Sequence, residues 1–521
     1  MPSSILLRGG TLLVPDGETE RVVPARRDLL VVGDRIASIE EHIDLAAHDL
    51  AAHDLAAHDL ADVMQVDCSD RIVSPGFIDT HHHLWQTQLK GRHADHTVLD
   101  YMPSGNLSGC FFTPSDVYWG QLGGALEALD SGTTTVVDQA HMNYQVEHSE
   151  HALAATLTSG IRSVFCYTPT PRVECWQPRL GLAPSILQPW HLPQFARFAN
   201  LLAAHPRVSL GFGFDGYAFL APADTRALFQ EVRAAGARCI TSHCFGNPLL
   251  AGGKGVVTVM AEASLLGPDV IVSHATGITP AEEALLAEHG AFVSCTPACE
   301  AQLGLGARSA FDGSTRTSLG CDSHSVTRGS MLDQIRLALA LARTQRTQTL
   351  LATSKYPRAM KPTVQDAFQL ATCHAARAVG LRDEIGKLQV GFKADIVTWD
   401  CTTPSMACAA AEDPVAALVC HAGTRDIDCV LVDGAFRKRA GKLCDLDCTT
   451  QDPTPARSLL ASSSLGAHAD NSTLAWTRVA RELERSRREI QDRMAGARRT
   501  GAQGQEAIID AFGLDGSALT H

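Results

Sequence analysis

The chain has 521 residues, 45% of them hydrophobic, with a net charge of −13 and a pI near 5.9. That length buries a large core, the acidic balance argues against a nucleic-acid partner, and there is no run of about 18 apolar residues to span a membrane. Sixteen cysteines, with no basic-then-apolar signal after Met1-Pro2-Ser3-Ser4, are expected to be reduced, buried small hydrophobes in a cytoplasmic protein.

In chain order, residues 4–72 carry short strand-like runs, Ile5-Leu6-Leu7-Arg8 and Asp28-Leu29-Leu30-Val31-Val32, broken by Gly and Asp turns. Within this part, residues 44–61 repeat Asp-Leu-Ala-Ala-His three times. A five-residue step turns a helix by about 140°, so His48, His53 and His58 share no face, and the segment reads as a low-complexity insertion in a loop. The stretch Pro75-Gly76-Phe77-Ile78-Asp79-Thr80-His81-His82-His83 follows. Alternation along a strand puts His81 and His83 on one face and His82 on the other, a pair suited to one metal ion.

Eight strand-like runs are expected at 72–80, 133–139, 161–168, 208–214, 238–243, 269–274, 291–296 and 317–322. Helical patterns separate them at 115–130, 148–159, 222–235, 255–266 and 280–289, with helix starts at Asp116, Asp224 and Thr279-Pro280. Strand–helix alternation repeated eight times predicts an α/β fold, a (β/α)8 barrel with its active site at the C-terminal ends of the strands. Three later runs end on residues that ligate metal or move protons: His243, His274 and Asp322. Residues 388–442 return to short strands, including Ala394-Asp395-Ile396-Val397 and Val430-Leu431-Val432. The tail, 451–521, opens with Pro, Thr and Ser and continues into the Glu- and Arg-rich Thr473–Arg498, expected as a solvated helix against the barrel.

These strand ends taken together resemble the amidohydrolase superfamily, in particular the branch holding guanine, cytosine and adenosine-type deaminases and triazine hydrolases. The resemblance covers roughly residues 3–440 and rests on His81, His83, His243, His274 and Asp322. It implies a barrel over 73–387, a β-sandwich composed of 1–72 and 388–450, and a C-terminal extension over 451–521. The segment Gly386-x4-Gly391-x-Lys393-Ala394-Asp395 resembles the family's C-terminal return.

The resemblance further implies a metal held by His81, His83, His243 and Asp322. Asp322 and His274 are the expected catalytic groups: Asp322 takes a proton from water and delivers it to the leaving group, while His274 polarises the developing anion or assists the proton. Binuclear members place a carboxylated lysine on the fourth strand. Here that strand, 208–215, has no lysine, so one divalent ion per chain is expected, zinc with iron as the alternative. Deaminases of the branch carry His-x-x-Glu on the fifth strand, whereas this chain has Gly246 at the glutamate position. Glu300, after the seventh strand, is the candidate substitute. Trp85, Gln86 and His141 are candidate substrate contacts, and Trp85 with Phe212, Phe214 and Tyr217 would suit a planar, apolar substrate. Cys244 and Cys321 are read as packing. The expected activity is hydrolysis of a non-peptide C–N bond in a small cyclic or amide substrate. The alternatives are dehalogenation, hydration or ring opening at the same site, or a silent binding barrel. A small-molecule partner is expected, with no nucleic acid or membrane, and homo-oligomerisation is left open.

Overall fold

The computed structural model describes residues 4–45, 63–246, 254–311, 316–447, 453–460, 473–495 and 502–519. Most of the 44–61 repeat, with His48, His53 and His58, lies outside the described residues.

Five strands open the chain: β1 (Ser4–Pro15), β2 (Val22–Val32), β3 (Arg35–Glu40), β4 (Met64–Asp67) and β5 (Arg71–Pro75). Eight parallel strands then form the barrel wall: β6 (Phe77–His82), β7 (Thr133–Ala140) and β8 (Arg162–Tyr167), and, after a small ribbon of β9 (Val173–Cys175) and β10 (Gly181–Leu182), β11 (Val208–Gly213), β12 (Ile240–Phe245), β13 (Val270–Thr276), β14 (Phe292–Cys295) and β15 (Thr317–Leu319). Their side chains are buried on both faces almost throughout, as parallel strands covered by helices require. The barrel is drawn together between β6 and the end of β15, where Asp322 N donates to His81 O (2.8 Å) and His83 N donates to Asp322 O (3.0 Å). The backbone of the candidate ligands thus makes the seam.

The chain returns with β16 (Ile396–Asp400), β17 (Ile427–Val432), β18 (Ala435–Arg439) and β19 (Lys442–Leu443). Both ends of the chain build one sheet, in the order β19-β18-β17-β16-β5-β1-β2-β3 with β4 beside β1. They meet where β16 runs antiparallel to β5, Ile396 opposite Pro75. The expected single run 72–80 is therefore two strands, one per sheet. Gly76 sits at the junction: a Cβ there would lie 2.1 Å from Thr134 Oγ1, so only glycine lets the strand cross.

A buried ion pair ties the two sheets. Arg162, at the start of β8, donates from Nε and Nη2 to both oxygens of Asp395 (2.7 and 3.0 Å) and also pairs with Asp433. Asp395 is the carboxylate of the Gly-rich return motif, and its carbonyl accepts from Gly76 N (2.9 Å).

Helix starts differ from expectation in detail. Thr279 caps as expected, with Pro280 next and Glu282 completing the capping box. Asp116 is instead the third helical residue of a box capped by Thr113, and Asp224 follows an Ala221 cap and Pro222. The helix Trp476–Met494 is less solvated than its charges suggest. Val479, Leu483, Ser486, Ile490 and Met494 form a buried stripe, Ser486 Oγ donates to Asp116 Oδ1 (2.5 Å), and Arg493 pairs with Asp116. Among the described residues no helix is long and apolar enough to cross a membrane.

Replacing Arg162 with leucine strands two buried carboxylates, which costs about 3–5 kcal/mol. Chemical unfolding of the full chain measures this. Adding Asp395→Leu to the same chain should recover part of the loss, because it removes one of the orphaned charges.

Candidate metal centre and substrate cavity

Every residue of the expected cluster stands at the C-terminal rim of the barrel. His81 is the next-to-last residue of β6 with His83 one step beyond the strand, His243 lies in β12, His274 in β13, and Asp322 just past β15. His81 Nε2 is 3.3 Å and His83 Nε2 is 3.2 Å from Asp322 Oδ1, and His83 Nε2 is 3.2 Å from His243 Nε2. Donor atoms of His81, His243, His274 and Asp322 all lie within 4.8 Å of one another. His274, expected to handle protons outside the primary ligand set, has its donor atom within this group.

Each imidazole is fixed through Nδ1 by an outer partner. His83 Nδ1 donates to the Gln139 carbonyl (2.9 Å) and His243 Nδ1 to Asp215 Oδ2 (2.8 Å); His81 Nδ1 bonds Ser273 Oγ (2.7 Å) and His274 Nδ1 bonds Thr296 Oγ1 (2.8 Å). That arrangement holds the ring angles and leaves the Nε2 atoms facing inward, the tautomer that ligates metal. His81 Nε2 is buried with no hydrogen-bond partner. An inward-facing, unpartnered nitrogen beside a carboxylate and three further imidazoles fits a divalent cation with N and O ligands.

The electrostatics of His81 and Asp322 agree with that donor chemistry. Burial pushes the His81 pKa well below its ordinary value, against the pull of Asp322, so the ring stays neutral. Burial opposes ionisation of Asp322, but the His81 and His83 rings beside its carboxylate and the proximity of His274 hold its pKa well below the usual carboxylate range. For His243, desolvation is outweighed by Asp215, and its pKa rises.

Local backbone geometry is special here. His274, Ala275 and Asp322 have φ of +69°, +51° and +60°, the left-handed region that side chains rarely adopt. Cys244 pairs with His274 but Phe245 pairs with Thr276, so Ala275 bulges out of β13 and re-aims His274. His82 points to the opposite face, bonded to Asp79 Oδ2 (2.7 Å) and His324 Nδ1 (2.8 Å) beneath the cluster. Cys321 lies beside Asp79 and His82, and Cys244 is core.

The centre opens into a cavity of about 300 Å³ reached by His83, His141, Asp215, His243, His274 and Asp322. His141 lies on its wall, 4% exposed, its ring 4.1 Å from the His83 ring and tilted 57° to it, with neither ring nitrogen partnered. The other two expected contacts stand behind the wall. Trp85 is fully buried, edge-on to Phe112 and His141. Gln86 is buried too, donating to Tyr101 Oη (2.6 Å) and accepting from Ser323, so it positions Tyr101, which does line the cavity. Phe212 and Phe214 pack into the core against Phe229, with Tyr217 on Phe214. The aromatic run is structural because its alternate residues face the helices rather than the barrel mouth.

Glu300 is neither a surface residue nor a cavity residue. It is 1% exposed, accepts from Thr296 N (2.6 Å), and sits 3.7 Å from His274 Nδ1 on the side away from the cavity. The helix Pro297–Gln302 turns its first-turn carboxylate back onto its own start, which removes it from substrate and places it behind His274. Gly246 is also explained: a Cβ there would lie 2.2 Å from the Gly277 carbonyl, and Gly246 N donates to Thr276 O (2.6 Å). The backbone crossing leaves no room for glutamate.

Sequence reading missed two contributors. Asp215, two residues past β11, is a carboxylate at a strand end, the same signal that found Asp322. Ile508, Phe512 and Leu514, from the helix Ala502–Phe512 and the turn after it, line the cavity although nothing in their local sequence marks them.

Compared with known proteins, residues 72–182 and 225–437 match the Amidohydrolase family. A 5-methylthioadenosine/S-adenosylhomocysteine deaminase of Desulforudis audaxviator is 25% identical over 425 residues, 76% of this chain and 89% of the relative. A 5'-deoxyadenosine deaminase of Methanobrevibacter smithii is 25% identical over 463 residues, 85% of this chain and 95% of the relative. An adenosine deaminase structure from Xanthomonas campestris with bound zinc shares the fold with a TM-score of 0.68 at 19% identity, over 88% of this chain and 98% of that one. An atrazine chlorohydrolase from Arthrobacter aurescens complexed with zinc does so at 0.67 and 19%, over 87% and 100%.

Gly246→Ala should destabilise the protein by about 1–3 kcal/mol through overpacking against Gly277. Gly246→Glu should cost more and lower metal content by displacing the segment after His243. Thermal unfolding and elemental analysis read both effects. A Gly246→Glu protein with unchanged stability would contradict the packing described.

Proposed function

Since this chain belongs to the amidohydrolase family, we propose that it is a mononuclear metal-dependent hydrolase. It adds water to an sp2 carbon and cleaves a non-peptide C–N bond of a small cyclic or amide substrate. The observation that carries this reading is the buried, unpartnered Nε2 of His81, aimed at Asp322 among the inward-facing rings of His83, His243 and His274.

His81, His83, His243 and Asp322 hold one divalent ion, zinc with iron as the alternative. Such an ion supplies Lewis acidity, lowering the pKa of water from 15.7 to about 7. Asp322, kept ionised by its imidazole neighbours, accepts the proton of the attacking water and delivers it to the leaving nitrogen. His274 faces the developing anion. Thr296 Oγ1 2.8 Å from its Nδ1 and Glu300 3.7 Å from the same atom hold the ring from behind. His141 offers two unpartnered ring nitrogens to a polar group of the substrate. The related deaminases named above act on adenosine-type compounds, and a planar nitrogen heterocycle bearing an amine suits the cavity. The backbone crossing at Gly246 favours a second reading, displacement of another leaving group such as a halide, because no carboxylate can stand there to protonate a ring nitrogen. We place the protein in the cytoplasm, a reading supported by free thiols at every described cysteine.

The purified protein should contain about one divalent metal per chain by elemental analysis. His81→Ala or His243→Ala should remove metal and activity together. His274→Ala should retain the metal and lose about 10²–10⁴ in turnover, the usual worth of general acid–base catalysis; metal loss equal to that of His81→Ala would overturn the division of roles.

Glu300→Gln should lower turnover at constant metal content by weakening the support of His274. Ammonia release from a panel of aminopurines, aminopyrimidines, aminotriazines, lactams and aryl amides identifies the bond cleaved, and chloride release from chlorotriazines scores the second reading.

A further inference from the structure

The cavity has two unlike ends. Its inner end is the polar cluster just described. Its outer end is apolar and is built by two segments distant in sequence. One is the loop-helix region from Val98 to Leu107, and the other is the C-terminal piece Ala502–Leu514, which brings Ile508, Phe512 and Leu514 to the cavity. This C-terminal piece lies beyond residue 437, where the match to the family ends. It is seated rather than merely adjacent. Ile508 is 2% exposed, packed in one cluster with Leu99, Leu107 and Leu180, and Gln505 Nε2 donates to Asp100 Oδ1 (2.9 Å).

We infer that Ala502–Leu514 is a specificity element, selecting substrates that carry an apolar alkyl or aryl substituent directed away from the reacting carbon. The inference deepens the metal-hydrolase reading and rests on it. Ile508, Phe512 and Leu514 give such a substituent a place to leave water, and these three side chains themselves offer a hydroxyl or charged substituent no partner. A binding energy that grows with apolar area follows directly.

The test uses a homologous series of alkyl hydroxamates, acetohydroxamate to octanohydroxamate, as metal-directed probes on the metal-loaded full-length protein. Dissociation constants should fall about fourfold for each methylene added until the outer end is filled. In Phe512→Ser/Leu514→Ser, two half-buried positions, the gain should drop below about twofold per methylene; Phe512→Ala alone should give an intermediate slope. Metal content and thermal unfolding confirm that each variant is folded. A flat series in the parent, or a fourfold slope that survives in the variants, would overturn the inference. If no hydroxamate binds, the metal-centre reading fails first and this inference falls with it.

Discussion

Four imidazoles and a carboxylate converge at the rim of this barrel, and the rest of the structure is organised around making that convergence tolerable. Nitrogen lone pairs set 3.2 Å from one another and from an oxygen repel unless something positive lies between them. The protein fixes each ring from behind, through the Gln139 carbonyl, Asp215, Ser273 and Thr296, so that none of the rings can rotate away. The left-handed backbone at His274, Ala275 and Asp322 belongs to the same arrangement, as strain concentrated where the His274 and Asp322 side chains point into the cluster.

Fold and site are coupled mechanically. The backbone of His81, His83 and Asp322 closes the barrel seam, so the geometry of the cluster is the geometry of closure. At the opposite end, Arg162 and Asp395 lock the barrel to the sheet shared by the two ends of the chain, and Gly76 lets the strand pass from one to the other. The helix Trp476–Met494 braces the outer side through Asp116 and Gln88, and the piece that follows it reaches the cavity mouth.

Much of this was legible in the sequence. His81, His83, His243, His274 and Asp322 could be found because each ends a β-rich run, and strand ends are where a barrel gathers its chemistry. The composite sheet was implied by the family resemblance, since short strands alone do not pair the two ends of the chain, and residue pairing such as Ile396 with Pro75 came only from the structure. The failures have physical reasons. Trp85 and Gln86 follow His83 closely but turn into the body of the protein on a short 3-10 helix, so proximity in sequence did not become proximity to substrate. Glu300 is a candidate by its place after the seventh strand, but its helix folds the carboxylate back against Thr296. Ile508, Phe512 and Leu514 reach the cavity through tertiary packing, which no local pattern encodes.

The most direct measurement is anomalous diffraction at the zinc or iron edge from crystals of the protein loaded with that metal. One peak per chain is predicted, ligated by the Nε2 atoms of His81, His83 and His243 and by Asp322, with metal–nitrogen distances of about 2.0–2.1 Å. Two peaks in the barrel mouth, or a single peak at Asp79, His82 and Cys321 on the other face of β6, would contradict the account.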